Sequence, residues 1–357
     1  MTTSPIRVLL VDDSVLALAI LKRILATSDD IEVVGTARNG QEALELIPRT
    51  HPDVICTDYH MPVMNGLEFI QEVMARFPCP ILVVSVSVQA QGDEQTIFNL
   101  LAAGAIDVFP KPQGGLAADY EQVASTLIQK IRVLSGVVAF TRHRSRTTAP
   151  LKPPALPGQQ LNNSRIVAIG ASTGGPQVLH TILSQLPPFF PVPVLCVQHI
   201  SQGFLSGLVD WLDSNCMMPV KIAQPGEIPH AGTIYFPQEK QHLVIDNLGR
   251  LQLSDEPAMD GHRPSVTVLF ESVASYYGTS AVGVLLTGMG RDGAAGLHAI
   301  AQAGGVTIAQ DEASCAVFGM PKQAIELGAA GHVLPPEQIA HMMLHHIRYA
   351  QPMTPQA

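Results

Sequence analysis

The segment Gly170-Ala171-Ser172-Thr173-Gly174-Gly175 follows an apolar run, Arg165-Ile166-Val167-Ala168-Ile169. A strand that ends in Gly-x-Ser-x-Gly throws its serine onto a tight strand-to-helix turn. Small flanking residues let the backbone bend, and the N–H groups of the turn converge where a negative oxygen can sit. The chemistry this suits is hydrolysis of an ester or an amide. A serine hydroxyl needs a base, and the base needs an orienting carboxylate. Among 13 histidines the candidate base is His199, in Val197-Gln198-His199-Ile200, because it directly follows an apolar strand pattern. The candidate carboxylate is Asp292, at the end of Leu286-Thr287-Gly288-Met289-Gly290-Arg291-Asp292, after another strand and a glycine-rich turn. The alternative for Asp292 is a plain cap on the helix that follows. Backbone N–H groups of Thr173 and Met289 are the candidate oxyanion donors. The chain order Ser, His, Asp differs from the Ser, Asp, His order of α/β-hydrolases, which argues against a lipase-like fold.

A second set of residues suits different chemistry. Asp12 and Asp13 close the first apolar run, Asp58 closes the third, Ser85 closes the fourth, and Lys111 follows the fifth. In doubly wound sheets the carboxyl ends of the strands form the ligand crevice. Three carboxylates there make a hard-oxygen site suited to Mg²⁺. A lysine beside them neutralises phosphoryl oxygens as a point charge, and one carboxylate can accept the phosphoryl group.

The elements that must position these residues alternate along the chain. Strands are expected at 6–11, 31–36, 53–57, 81–84 and 106–109, with helices at 14–26, 41–47, 66–76, 94–103 and 120–134. Five strand–helix pairs over roughly 130 residues imply a parallel sheet covered on both faces. Residues 135–163 turn rich in Pro, Arg, Thr and Gln, lose apolar periodicity and read as a linker. Beyond it strands are expected at 166–169, 192–197, 233–236, 243–245, 251–253, 281–286 and 306–309, with helices at 177–185, 204–214, 265–277, 293–303 and 321–327. The pair around Asn247-Leu248-Gly249 reads as a hairpin. The domain plan is therefore 1–134, a linker over 135–163, a second α/β domain over 164–350 with a mostly parallel doubly wound sheet, and a tail over 351–357.

The composition excludes several classes. The formal net charge of −9 speaks against a nucleic-acid binder; the one basic cluster, Arg142-His143-Arg144-Ser145-Arg146, falls in the linker. No apolar run approaches the roughly 20 residues that span a bilayer, and no signal peptide is legible. The 5 cysteines are odd in number, without Cys-x-x-Cys spacing, as expected of a reducing cytoplasm. His341 and His345 have i, i+4 spacing without a third ligand in view and read as one face of a solvated helix.

The acidic set with Ser85 and Lys111 resembles the receiver domain of bacterial response regulators. The resemblance implies a flavodoxin-like sheet of five parallel strands. It implies Asp58 as phosphoacceptor and Mg²⁺ held by Asp12, Asp13, Asp58 and the backbone carbonyl of His60. Ser85 would be the switch hydroxyl and Lys111 the phosphate-sensing lysine, with a frequent cis peptide at Lys111-Pro112. His60 and Asn65 stand where acidic residues are common. Taken whole, the chain resembles the chemotaxis protein-glutamate methylesterases. The resemblance rests on the segments around Ser172, Gln198-His199, His262-Arg263-Pro264-Ser265-Val266, residues 286–296 and Ser314-Cys315-Ala316-Val317-Phe318-Gly319-Met320-Pro321. It implies Ser172 as nucleophile, His199 as base, Asp292 as orienter, and Thr173 and Met289 as oxyanion donors, with no cofactor for the esterase step. It further implies cytoplasmic chemoreceptor helices as substrate, glutamine deamidation as a second activity and a histidine kinase as phosphodonor. A receiver face would cover the esterase cleft until phosphorylated. The expected state is a cytoplasmic monomer that neither enters the membrane nor binds nucleic acid. Tyr235-Phe236-Pro237-Gln238-Glu239-Lys240 departs from the family's Ala-Pro-Gly-like turn. His262 and Arg263 read equally as substrate-side or structural. Other readings of the whole are a phospho-switched docking scaffold with a silent esterase, and a methylesterase serving a pathway other than motility.

Overall fold

The computed structural model describes residues 4–85, 94–112, 117–137 and 164–347. The chain divides into two compact units, each built on its own parallel sheet. The linker's basic cluster, its prolines and the tail at 351–357 lie outside the described residues.

In the first unit the order is β1 (Ile6–Val11), α1 (Val15–Leu25), β2 (Ile31–Ala37), α2 (Gly40–Thr50), β3 (Val54–Thr57), α3 (Gly66–Arg76), β4 (Ile81–Ser85), α4 (Glu94–Ala103), β5 (Asp107–Pro110) and α5 (Ala117–Ser135). The five strands lie in the order β2-β1-β3-β4-β5, every pair parallel. Their inner strands are mostly apolar because helices cover both faces; Val8, Leu9, Leu10, Ile55 and Val83 are fully buried. Helix α2 runs past Pro48 to Thr50, further than the expected end at 47, and closes on His51 with φ of 40°. A proline so near the end removes only a terminal bond of the helical ladder. The Lys111–Pro112 peptide is not cis; the cis bond among the described residues is Arg263–Pro264.

The second unit comprises β6 (Ile166–Ala171), α6 (Gly175–Leu183), β7 (Val194–Gln198), α7 (Leu205–Asn215), β8 (Val220–Ile222), β9 (Ile234–Phe236), β10 (His242–Ile245), β11 (Leu251–Ser254), α8 (Val266–Tyr277), β12 (Ala281–Leu285), α9 (Ala294–Gln302), β13 (Val306–Gln310), α10 (Met320–Glu326), β14 (His332–Leu334) and α11 (Pro336–His346). Seven strands form one sheet in the order β14-β13-β12-β6-β7-β9-β8, all parallel. The hairpin β10–β11 stands apart as a two-stranded antiparallel sheet. Strands β8 and β14 have no counterpart in the sequence reading. At 3 residues each they are too short to show a period, and both sit at sheet edges.

From β6 the sheet runs through β7, β9 and β8 on one side, with β9 inserted after the edge strand β8, and through β12, β13 and β14 on the other. The reversal falls between β6 and β12. In open parallel sheets that switch point opens a crevice at the carboxyl ends of the strands. Helix α8 lies against the end of β6 so closely that a Cβ on Gly170 would come 2.1 Å from Val266 Cγ1. Among the described residues no helix is long and apolar enough to cross a membrane.

Candidate active and phosphoacceptor sites

At the carboxyl ends of β1, β3 and β5 the first unit gathers Asp12, Asp58 and Lys111. Lys111 Nζ lies 2.8 Å from Asp12 Oδ2 and 2.7 Å from Asp58 Oδ2. Asp12 and Asp58 are both nearly inaccessible. The Ser14 N–H donates to Asp12 Oδ1 at 2.9 Å, which fixes that carboxylate and leaves Oδ2 for the lysine. Burial pushes the Asp58 carboxyl above its usual range, against the opposing pull of Lys111. Burial opposes the charge on Lys111, but its two carboxylate partners outweigh that and raise its pKa. Ser85 ends β4 with its side chain buried, and its carbonyl accepts the Lys111 N–H at 2.7 Å.

Asp12, Asp13 and Asp58 each bring a carboxylate oxygen within 4.8 Å of the others. An all-oxygen, anionic donor set of this kind fits a hard divalent cation such as Mg²⁺. His60 lies beside it on the wall of a cavity lined by Asp13, Tyr59, Met61, Pro62 and Asn65.

At the switch point of the second sheet three loops meet. Ser172 follows β6 and His199 follows β7. Ala171 pairs with Gln198, and the His199 N–H donates to the Ala171 carbonyl at 2.9 Å, so serine and histidine are the next cross-strand neighbours. Asp292 arrives from the loop after β12. His199 Nε2 stands 2.8 Å from Asp292 Oδ2.

Asp292 is fully buried and does more than cap the helix behind it. Its Oδ1 accepts from the Ser265 hydroxyl at 2.8 Å and from the Thr267 N–H at 3.0 Å, and its Oδ2 accepts from the Val266 N–H at 2.8 Å. The carboxylate therefore sits on the N-terminus of α8, where free N–H groups and the helix dipole favour negative charge. Thr267 Oγ1 returns the bond by accepting the Gly293 N–H at 2.7 Å. Burial alone would raise the Asp292 pKa, but His199, the Thr267 N–H and the Ser265 hydroxyl together hold it well below the usual carboxylate range.

An ionised Asp292 facing Nε2 places the imidazole proton there and leaves Nδ1 as the basic nitrogen. This reverses the roles of the two nitrogens in the familiar triad. Nδ1 has no hydrogen-bond partner among the described residues, so the Ser172–His199 bond is not formed in this structure, and the Nε2–Asp292 contact, though short, is an ion-pair distance without hydrogen-bond alignment. Such bonds are often long in unliganded enzymes and tighten with substrate.

The ring of His262 stacks on that of His199, with centroids 3.9 Å apart and planes 5° from parallel. Burial first, and the neighbouring His199 second, push His262 below the usual imidazole range, which keeps it neutral near pH 7. His199, His262 and Asp292 have ligand atoms within 4.8 Å of one another, but they do not fit one metal ion. An imidazole donates in its ring plane, and two parallel stacked planes cannot both contain the same ion. His242, fully buried, accepts the Ser265 N–H at Nδ1 (3.1 Å) and faces the Pro257 carbonyl with Nε2 (3.2 Å). It steadies the turn that holds Asp292. Arg263 Nη1 donates to the Asp255 and Glu256 carbonyls, a structural engagement.

The peptides carrying the Thr173 and Met289 N–H groups are both pinned through their carbonyls. The Ser172 carbonyl accepts the Gly175 N–H at 2.8 Å, and the Gly288 carbonyl accepts the Gly319 and Met320 N–H groups at 3.1 and 2.9 Å. Gly288 has to be glycine, since a Cβ there would come 2.7 Å from Ser172 Cβ. Thr287, fully buried, donates through Oγ1 to the Thr173 carbonyl at 3.0 Å, and its own N–H is taken by Gln310 Oε1 at 2.8 Å. Sequence reasoning assigned no role to Gln198, His242, Ser265, Thr287 or Gln310, although Gln198, Ser265 and Thr287 lie in the segments that carry the resemblance. The available signal was a polar residue at the end of an otherwise apolar strand, which fits Gln198, Thr287 and Gln310.

The fold and site define a receiver unit followed by a parallel α/β unit of esterase type. A family model for the response regulator receiver domain matches residues 8–117, and one for the CheB methylesterase matches residues 167–343. A protein-glutamate methylesterase/protein-glutamine glutaminase of Geobacter metallireducens is 43% identical, covering 94% of this chain and 96% of that protein. One from Nitrosospira multiformis is 42% identical, covering 94% and 95%. The crystal structure of the Thermotoga maritima CheB methylesterase catalytic domain is 38% identical over 51% of this chain and 97% of that one, with a TM-score of 0.49. The chain belongs to the family of protein-glutamate methylesterase/protein-glutamine glutaminases.

Proposed function

We propose that this chain is a phosphorylation-regulated serine hydrolase that cleaves glutamate γ-methyl esters, and deamidates glutamines, on the cytoplasmic helices of chemoreceptors. The observation that carries the reading is the His199–Asp292 pair at 2.8 Å, its two members following the strands that flank β6, which leads into the Ser172 turn. His199 Nδ1 takes the Ser172 proton as Oγ attacks the ester carbonyl. The Thr173 and Met289 N–H groups hold the oxygen that becomes negative. The proton passes to the leaving methoxide and methanol departs, leaving an acyl-enzyme. Water, deprotonated by the same nitrogen, then releases the glutamate side chain and restores Ser172. For a glutamine the leaving group is ammonia.

In the receiver, taken as residues 1–134 ahead of a linker over 135–163 and a catalytic domain over 164–350, Asp58 accepts the phosphoryl group from a histidine kinase. Asp12, Asp13, Asp58 and the His60 carbonyl would hold Mg²⁺, which when bound neutralises phosphoryl charge. Lys111 leaves its ion pair with Asp58 to meet the new oxygens, and Ser85 supplies a hydroxyl to them. Occupation of Asp58 changes the access of receptor ester to Ser172.

The test is methanol release from methylated receptor membranes, with and without acetyl phosphate and Mg²⁺. The chain releases methanol faster with both present, and Ser172→Ala releases none. Release by that variant would refute the assignment of the nucleophile.

A further inference from the structure

The planar peptide points its N–H opposite to its C=O. The Thr173 N–H is therefore aimed by whatever holds the Ser172 carbonyl, and the Met289 N–H by whatever holds the Gly288 carbonyl. Three of the four groups that do this are backbone N–H groups, of Gly175, Gly319 and Met320. The fourth is a side chain: Gln198 Nε2 donates to the Ser172 carbonyl at 2.7 Å. The same nitrogen donates to the His199 carbonyl at 2.9 Å. One amide, 3% exposed, thus ties the nucleophile turn to the residue that carries the base.

We propose that Gln198 is a positioning residue for the oxyanion hole, its amide holding the Ser172–Thr173 peptide so that the Thr173 N–H faces the reacting carbonyl. This rests on the reading of Ser172 and Thr173 above. The amide orientation is settled by chemistry, since two carbonyl oxygens require the nitrogen between them. Gln198 Oε1 then points at α6, buried and without a partner among the described residues. A Cβ on Gly175 would come 2.1 Å from that oxygen, so glycine there is what leaves room for the amide. An unpartnered buried acceptor adds nothing to stability; a thioether of similar length would pack in its place. The gain lies at Nε2. A carbonyl that accepts two hydrogen bonds also polarises its peptide, which strengthens the N–H as a donor toward developing charge.

The test uses the full chain with acetyl phosphate, Mg²⁺ and methylated receptor membranes, and compares Gln198→Met with the parent. The probe of the hole is a boronic acid analogue of the glutamate side chain, which forms a tetrahedral adduct on the serine. We expect kcat to fall about tenfold or more, a fraction of what deleting an oxyanion donor costs, with KM within about twofold. Boronate affinity falls by the same factor as kcat, and the pH dependence of kcat does not move because the imidazole keeps Asp292 as its partner and the His199 N–H keeps its bond to the Ala171 carbonyl. A merely structural role would lower the melting temperature and raise KM, with the boronate factor unrelated to kcat. Should the Met variant not fold, Gln198→Asn carries the same test, because its shorter amide cannot reach both carbonyls. Unchanged kcat, or a loss of kcat without weaker boronate binding, overturns the proposal. An inactive Ser172→Ala beside a fully active Gln198→Met would sink this inference alone; an active Ser172→Ala would sink the nucleophile assignment and this inference together.

Discussion

Each unit places a buried aspartate at the carboxyl end of a parallel sheet beside a nitrogen base, and the two are held in opposite ways. Asp292 accepts from Ser265, Val266 and Thr267 and faces His199, and its pKa is driven far down. Asp58 has Lys111 as its ion-pair partner, which Asp12 shares, and burial leaves its pKa raised. The first arrangement is a fixed scaffold, with every carboxylate oxygen in use before substrate arrives. The second is an ion cluster whose charge the fold does not fully support, so a cation or a phosphoryl group has free energy to gain by entering it. Preorganisation suits electrostatic catalysis; an under-supported charge suits a switch.

The widest separation is expected from the two Asp→Asn changes. Asp292→Asn should lower kcat about 10⁴-fold, as loss of the orienting carboxylate does in serine hydrolases, and should weaken its unit by about 3 kcal/mol through lost charge-assisted hydrogen bonds. Asp58→Asn should end phosphoryl uptake, yet leave its unit as stable or more so. Denaturation against pH gives the sign. Asp292 has a depressed folded pKa, so its contribution is present above the unfolded value of about 4 and is lost as pH falls through the folded value. Asp58 has a raised folded pKa, so the penalty on its charge is absent below about 4 and appears as pH rises through the folded value. Asp292→Asn should therefore flatten the acid limb of the second unit, and Asp58→Asn should steepen that of the first. Slopes of the same sign in both would break the comparison.

Next after the roughly 10⁴-fold loss of kcat comes Lys111→Met, which strands two buried carboxylates. Removing one partner of such a cluster costs about 3–5 kcal/mol, and millimolar Mg²⁺ should restore more melting temperature to this variant than to the parent. Equal Mg²⁺ shifts would mean that the lysine and the cation do not share a site. The mildest is Thr287→Val, which removes the hydroxyl between the Thr173 and Val317 carbonyls. It should cost about 1–2 kcal/mol, read as a lowered urea midpoint with an unchanged slope. No change would mean that the hydroxyl is not part of the fixed scaffold.

Local pattern carried a good deal of this. The apolar run of β1 and the helix boundaries at Gly66–Arg76 and Glu94–Ala103 were legible to the residue, and the other strands of the first unit to within one residue at each end, because strong periodicity leaves few alternatives. So were the turn glycines around Ser172 and the acidic strand ends. The short edge strands β8 and β14 were not, since 3 residues cannot show alternation and only their neighbours make them strands. The role of Asp292 was legible as a choice between orienter and cap. The structure shows it facing His199 and capping α8, a helix whose first turn precedes it by over twenty residues in the chain.

The residues themselves determined which chemical groups are available and that each lies at a strand end, because residue type and hydrophobic period are local properties of the chain. Only the tertiary structure decided which strands are neighbours. It therefore also decided which nitrogen of His199 meets Asp292, that His262 lies flat against that ring, and that Gln198 reaches back to the Ser172 carbonyl. Those contacts join segments far apart in the chain, and they are set by sheet order and close packing, which no local window of sequence contains.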